Sequence, residues 1–310
     1  MNPKIMLILT ENWTIVDKQD LRTLVDWAVI AEEAGIYGLM LSDHITLGAS
    51  AGERGIEPNP RAYAAPGNQD PTTPWPDSLL LFSAIAARTS EIKLFCGAII
   101  APLRHPVHLA KQLATLDSLS EGRLIVQPTV SWHEDEYEHL GVPFKKRGKL
   151  LDEHLEAWQL LWNESPASYA GQHYQFEGVY FEPKPHRSGG PPLWFGGQSM
   201  HAPLLRRLVK YGQGFHPFGA PTSEDKRQLR NGLAAAGRNM SEIALIGGIR
   251  ATFSDNDSPA DLDLALTSIP PQIEQGYTVF CVKPDQFISD AHDFSAFCDR
   301  LVAGFAEMSL

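Results

Sequence analysis

Short unbroken apolar runs alternate along this chain with longer stretches in which apolar residues recur every three or four positions. The run at 4–9 is followed by 20–34, where Leu21, Leu24, Val25, Ala28 and Ala31 share one helical face and Gly35 ends the pattern. Further strand-like runs fall at 38–42, 93–100, 123–127, 192–195, 214–216, 243–252 and 277–282. Helical periodicity covers 76–87, 106–118, 147–163, 199–211, 223–236, 259–275 and 289–308. Pro76 suits a first helical turn, while Pro270-Pro271 predicts a break in the 259–275 helix. Successive βα pairs without a domain-scale linker predict an α/β protein, a single-domain (β/α)8 TIM barrel over 1–310 with insertions. An open doubly wound sheet is the alternative, but it rarely needs so many pairs. Two stretches depart from the alternation. The connection 45–75 is rich in Gly, Pro, Ala and Asn and has the length of a lid, and 168–182 alternates around Gly171 and Gly178 as an inserted hairpin would.

Composition narrows the partners. The 310 residues are 43% hydrophobic and 20% charged, enough to bury a large core. The net charge of −11 is dispersed and leaves no basic patch, which argues against nucleic acid or an anionic membrane. Cys96, Cys281 and Cys298 are odd in number and lack a Cys-x-x-Cys pattern, so neither a disulfide framework nor a zinc site is expected. The first apolar run is too short for a signal peptide, and no stretch reaches bilayer length. A cytoplasmic protein with a small-molecule substrate is expected.

Barrel enzymes work at the C-terminal ends of their strands, so polar residues there come first. The second strand ends in Ser42-Asp43-His44, an acid and an imidazole where proton transfer needs them; a local cap or pair is the structural alternative. Gly97, inside the third apolar run, signals a bulge or a close approach, and Cys96 beside it reads as a small buried hydrophobe. The run His133-Glu134-Asp135-Glu136 lacks metal-ligand spacing and reads as a solvated helix start, with Glu136 paired to Arg147. Gly196-Gly197-Gln198-Ser199 before a helix offers backbone N–H groups and a positive helix end to a phosphate, with Arg206 or Arg207 nearby. Lys93 and Lys283 lie poorly for the strand-end lysine of a lyase or isomerase barrel.

The most specific stretch is Arg104-His105-Pro106, then 114–123 ending Ser-Glu-Gly-Arg, Ser131-Trp132-His133-Glu134-Asp135-Glu136-Tyr137, Phe144, Arg147, Leu151-Asp152-Glu153 and Leu161-Trp162. In order and spacing it resembles the bacterial luciferase-like superfamily of flavin- and deazaflavin-dependent oxidoreductases. That resemblance implies a barrel, a homodimer, and a coenzyme at the barrel mouth. It implies His44 and Asp43 as catalytic groups, Asp43 also lying in the coenzyme site. Gly97 and Ala98, joined by a cis peptide, would lie beneath the coenzyme ring, with Gln127, Thr129 and Trp132 beside it. Gly196, Gly197, Gln198 and Ser199 would hold its phosphate. Gln127-Pro128-Thr129 departs from the family's Gly-x-Gly, and Gln213 and Phe215 replace residues of its Gly-Asp-Gly-Trp. The Asp-His ending implies coenzyme F-420 and hydride transfer; FMN with molecular oxygen, or a non-catalytic flavin-binding barrel, are the alternatives.

Overall fold

The apolar runs become short strands whose side chains are mostly buried on both faces, as a sheet covered by helices requires. The computed structural model describes residues 3–308. The strands are β1 (Lys4–Ile8), β2 (Gly38–Leu41), β3 (Lys93–Ile100), β4 (Leu124–Thr129), β5 (Ala167–Ala170), β6 (Gln175–Val179), β7 (Leu193–Gly197), β8 (Gly212–Pro217), β9 (Ala244–Gly248) and β10 (Val279–Val282). Eight of them close into a parallel barrel in the order β1-β10-β9-β8-β7-β4-β3-β2. The helices are α1 (Leu21–Glu33), α2 (Ser78–Ala86), α3 (Pro106–Leu119), α4 (Glu134–His139), α5 (Arg147–Asn163), α6 (Ala202–Tyr211), α7 (Ser223–Ala235), α8 (Leu262–Leu266), α9 (Ile269–Glu274) and α10 (Phe294–Glu307). The fold is a (β/α)8 barrel, with β5 and β6 as an antiparallel hairpin outside it.

Several boundaries differ from the expected ones. Strand β4 continues through Gln127-Pro128-Thr129, because the register slips between Gly97 and Ile99 and brings Pro128 opposite Ile99. A bulge tolerates a residue that cannot donate to the ladder. Gly196 and Gly197 pair with His216 and Pro217 and so belong to β7 rather than to a turn. Helix α6 starts at Ala202, not at 199, because the His201 side chain caps it by accepting the Leu204 N–H. The expected break near Pro270-Pro271 lies before them: both prolines fall within α9, which begins at Ile269.

The chain divides into two compact units. The first holds the chain up to Met40, residues 56–64, and everything from Leu193 onward. Its core includes Met6, Leu24, Trp27, Ile246, Phe280 and Leu301, all 3% exposed or less, and Trp27 stacks on Phe294 with ring centroids 4.1 Å apart. The second holds 41–55 and 65–192. Here α5 lies along α3, and the indoles of Trp158 and Trp162 donate to Pro106 O and Ala110 O. Gly122 turns with φ +78, which favours a residue without Cβ, and Arg123 follows with its guanidinium buried. That guanidinium donates to Ala86 O, Thr89 O, Thr89 Oγ1 and Ile92 O, closing the C-terminal end of α2.

Candidate active site

The second unit begins as the chain leaves β2, delivering Ser42, Asp43 and His44 in succession. Ser42 Oγ donates to Gly97 O at 3.1 Å. Asp43 is 4% exposed and both its oxygens are occupied: Arg104 donates to them at 2.7 and 2.9 Å, and the Ile100 N–H at 2.9 Å. Burial works against the Arg104 charge, yet Asp43 outweighs it and the guanidinium pKa rises. Asp43 thus ties β2 to the end of β3 rather than offering an open carboxylate.

His44 is placed by a residue far away in sequence. Its Nδ1 lies 3.1 Å from Glu136 Oε2, and Glu136 is fully buried. The same carboxylate accepts the backbone N–H groups of Ile45 at 2.5 Å and Thr46 at 3.4 Å. The expected Glu136–Arg147 pair does not form: Arg147 lies over the Phe144 ring at 3.6 Å and donates to Phe144 O. Nor is the start of α4 solvated throughout, since His133 is 1% exposed and Glu136 0%. His133 and Asp135 face the chain that follows β2: His133 Nε2 accepts the Gly48 N–H, and Asp135 accepts the Ser50 N–H. A Cβ on Gly48 would overlap the Asp135 carboxylate, so the close approach demands glycine. Burial pushes the His133 pKa down. Trp75 and Trp132 stand edge-on to the His44 ring, with centroids 4.9 and 6.1 Å away. Trp75 Nε1 and His133 Nδ1 are buried and have no hydrogen-bond partner among the described residues.

The Gly97–Ala98 peptide is cis. Gly97 needs no ligand to explain its identity, because a Cβ there would come 2.5 Å from the Phe95 ring. Gln127, paired with Gly97 across the ladder, is 1% exposed, while Thr129 and Trp132 are half-buried. Burial raises the Cys96 thiol pKa, as suits an inert core residue.

In the first unit, β7 ends at Gly196-Gly197, and Gln198 and Ser199 are exposed before the cap of α6. Met200 N donates to Asp225 Oδ1, which fixes the far side of this turn. Arg207 is the buried arginine of the pair and Arg206 the exposed one. Burial first, and then the Arg207 charge, lower the His201 pKa. Lys283 directly follows β10 and is 1% exposed, closer to a strand-end lysine than its spacing suggests. Its amine is spoken for by Glu11 O at 3.3 Å, Asp285 Oδ1 at 3.4 Å and the Tyr63 ring at 5.6 Å. Among the described residues no His, Cys, Asp and Glu cluster could hold a metal, and no helix is long and apolar enough to cross a membrane.

A family model, luciferase-like monooxygenase, matches residues 4–281. The chain belongs to that family. Its members are flavin- or F-420-dependent oxidoreductases and monooxygenases. An uncharacterized protein of Mycobacterium tuberculosis is 40% identical over 166 residues, 53% of this chain and 58% of the relative. An FMNH2-dependent dimethylsulfone monooxygenase of Pseudomonas fluorescens is 29% identical over 64% of this chain and 53% of its own. The chain therefore spans little more than half the length of these curated relatives. The solved structure of an F-420-dependent secondary alcohol dehydrogenase, with an F-420–acetone adduct, superposes with TM-score 0.72 at 14% identity. That match covers 98% of this chain and 99% of the other.

Proposed function

We propose that this protein is an F-420-dependent oxidoreductase in which His44 exchanges a proton with the substrate. The observation that carries this reading is the His44–Glu136 pair at the end of β2. A buried carboxylate holds one ring nitrogen, which fixes the ring and leaves Nε2 for proton transfer. Asp43, tied to Arg104, holds the strand end that presents the imidazole. For the phosphate, Gly196, Gly197, Gln198 and Ser199 give a side-chain-poor approach ahead of α6, with Arg207 adding charge. These residues fit a phosphate-bearing coenzyme. When bound, F-420 supplies the hydride chemistry; the chain supplies position, proton and exclusion of water. The Ser42-Asp43-His44 ending favours F-420 over FMN. The second reading, FMN-dependent monooxygenation, is favoured by the FMNH2-dependent relative at 29% identity. The test is His44→Ala with F-420. The expected outcome is nearly unchanged coenzyme affinity and a turnover lowered about 10²–10⁴-fold. A variant as active as the wild type removes the histidine from the mechanism.

A further inference from the structure

One buried imidazole of the second unit faces two acceptors at once. His154 on α5 is fully buried, with Nδ1 2.8 Å from Leu150 O and Nε2 2.9 Å from Arg104 O. A backbone carbonyl oxygen can only accept, so each contact calls for a donor on the ring. A neutral imidazole carries one N–H and answers one carbonyl; at the other, lone pair meets lone pair. An imidazolium answers both. Burial pushes the His154 pKa below 6.5, against the pull of the two carbonyls. The other titratable groups around the ring are His105, whose charge lowers the pKa, and Glu153, whose charge raises it. Tyr174 stands edge-on to the ring at 5.1 Å, and His173 is taken up by Glu153 at 2.7 Å.

The carbonyl that His154 meets belongs to the residue whose guanidinium grips Asp43. Arg104 donates to Asp43 at 2.7 and 2.9 Å, and the Ile100 N–H donates to the same carboxylate at 2.9 Å. Asp43 directly precedes His44. We propose that His154 is a positioning residue whose proton count sets the hold on Arg104. With both nitrogens protonated the ring anchors the Arg104 carbonyl fully, and with one it does so only in part. Acidification therefore tightens the Arg104–Asp43 clamp that fixes the strand end before His44. The second bond is also charge-assisted, and such bonds are about twice as strong as neutral ones. The consequence for turnover rests on the redox reading, but the proton count itself needs no coenzyme.

The test follows the full-length, 15N-labelled protein without coenzyme from about pH 8 to about pH 5, the window in which a histidine changes charge. Long-range 1H–15N spectra identify the His154 ring by its absence in His154→Gln. Both ring nitrogens should reach the protonated shift with one midpoint below 6.5. The Ile100 amide, which reports the Asp43 carboxylate, should shift with that same midpoint. Glutamine keeps a side-chain N–H but cannot gain a proton, so in His154→Gln this component of the Ile100 titration should vanish. His105→Gln is the control and should leave it in place. If His154→Gln does not fold, His154 is assigned through its contact with the Tyr174 ring, and coincidence of the two wild-type midpoints decides. A ring that keeps one proton throughout the range, or two throughout, overturns the proton count. An Ile100 component that survives in His154→Gln, or that never follows His154, overturns the positioning role. Failure here leaves coenzyme binding to be judged by its own titration.

Discussion

Glu136 accepts from three groups on the strand-end segment, the His44 ring and the N–H groups of Ile45 and Thr46. Replacing it with alanine leaves the imbalance of three groups without their acceptor and lets the ring turn. Glu136→Ala should lower kcat at least about tenfold, part of the 10²–10⁴-fold a positioned proton-transfer group contributes, while coenzyme Kd changes little. Steady-state kinetics alongside a binding titration separate the two; a loss confined to Kd would contradict the positioning role. Sequence showed His44 but not its partner. The two lie 92 positions apart, whereas Arg147 sits in the same motif as Glu136 and offers an obvious opposite charge. Local spacing cannot reveal that Arg147 prefers the face of Phe144. The burial of His133 escapes local spacing for the same reason, since the chain at Gly48 that bonds its ring lies 85 positions away.

At the scale of elements, the long connection 45–75 contains a 3-10 turn at Ala49–Gly52 and is held at several points. Arg61 anchors its middle within the first unit, donating to Asp285 O at 2.6 Å, Ile288 O at 3.0 Å, Asp257 O at 3.2 Å and Thr14 Oγ1 at 3.3 Å. Asn59 adds bonds to Asp255 O and Ser258 O. Gln286, in turn, donates to Arg61 O. Arg61→Ala strands buried acceptors and should cost about 1–3 kcal/mol. Limited proteolysis should then cut within 56–64 faster than in the wild type, and equal cleavage would show that Arg61 does not restrain the loop. The inserted hairpin has a comparable anchor: Glu153 on α5 accepts the N–H groups of Gln172, His173 and Tyr174 and pairs with the His173 ring at 2.7 Å. Glu153→Ala should therefore speed amide hydrogen exchange at 172–174 well before it affects β3 or β4; uniform change across the unit would contradict a local anchor. The sequence revealed these elements because apolar runs and periodicity are local. Their ends were harder, as at Gly196-Gly197, where pairing with β8 extends a strand that glycine composition alone presents as a turn.

For the molecule as a whole, titratable groups with shifted pKa set opposing pH trends. Burial pushes the His216 pKa from 6.5 down to about 4, and His133 and His201 are lowered as well. A histidine with a depressed folded pKa contributes stability that is fully present above about 6.5 and is lost as pH falls toward the folded value. Burial raises the Asp285 pKa to about 6, so its contribution is present below the unfolded value of 3.8 and is lost as pH rises through about 6. Between pH 4 and 6.5 the unfolding midpoint of His216→Phe should thus fall less on acidification than that of the wild type, and that of Asp285→Asn should fall more. Thermal melts across that range check both signs. Coenzyme binding tests the proposed function most directly. Purified protein should be titrated with oxidised F-420 and, separately, with FMN, following each chromophore's absorbance. Saturable perturbation of F-420 with weaker binding of FMN is expected. Tight FMN binding accompanied by oxygen-dependent substrate consumption, with no response to F-420, would contradict it.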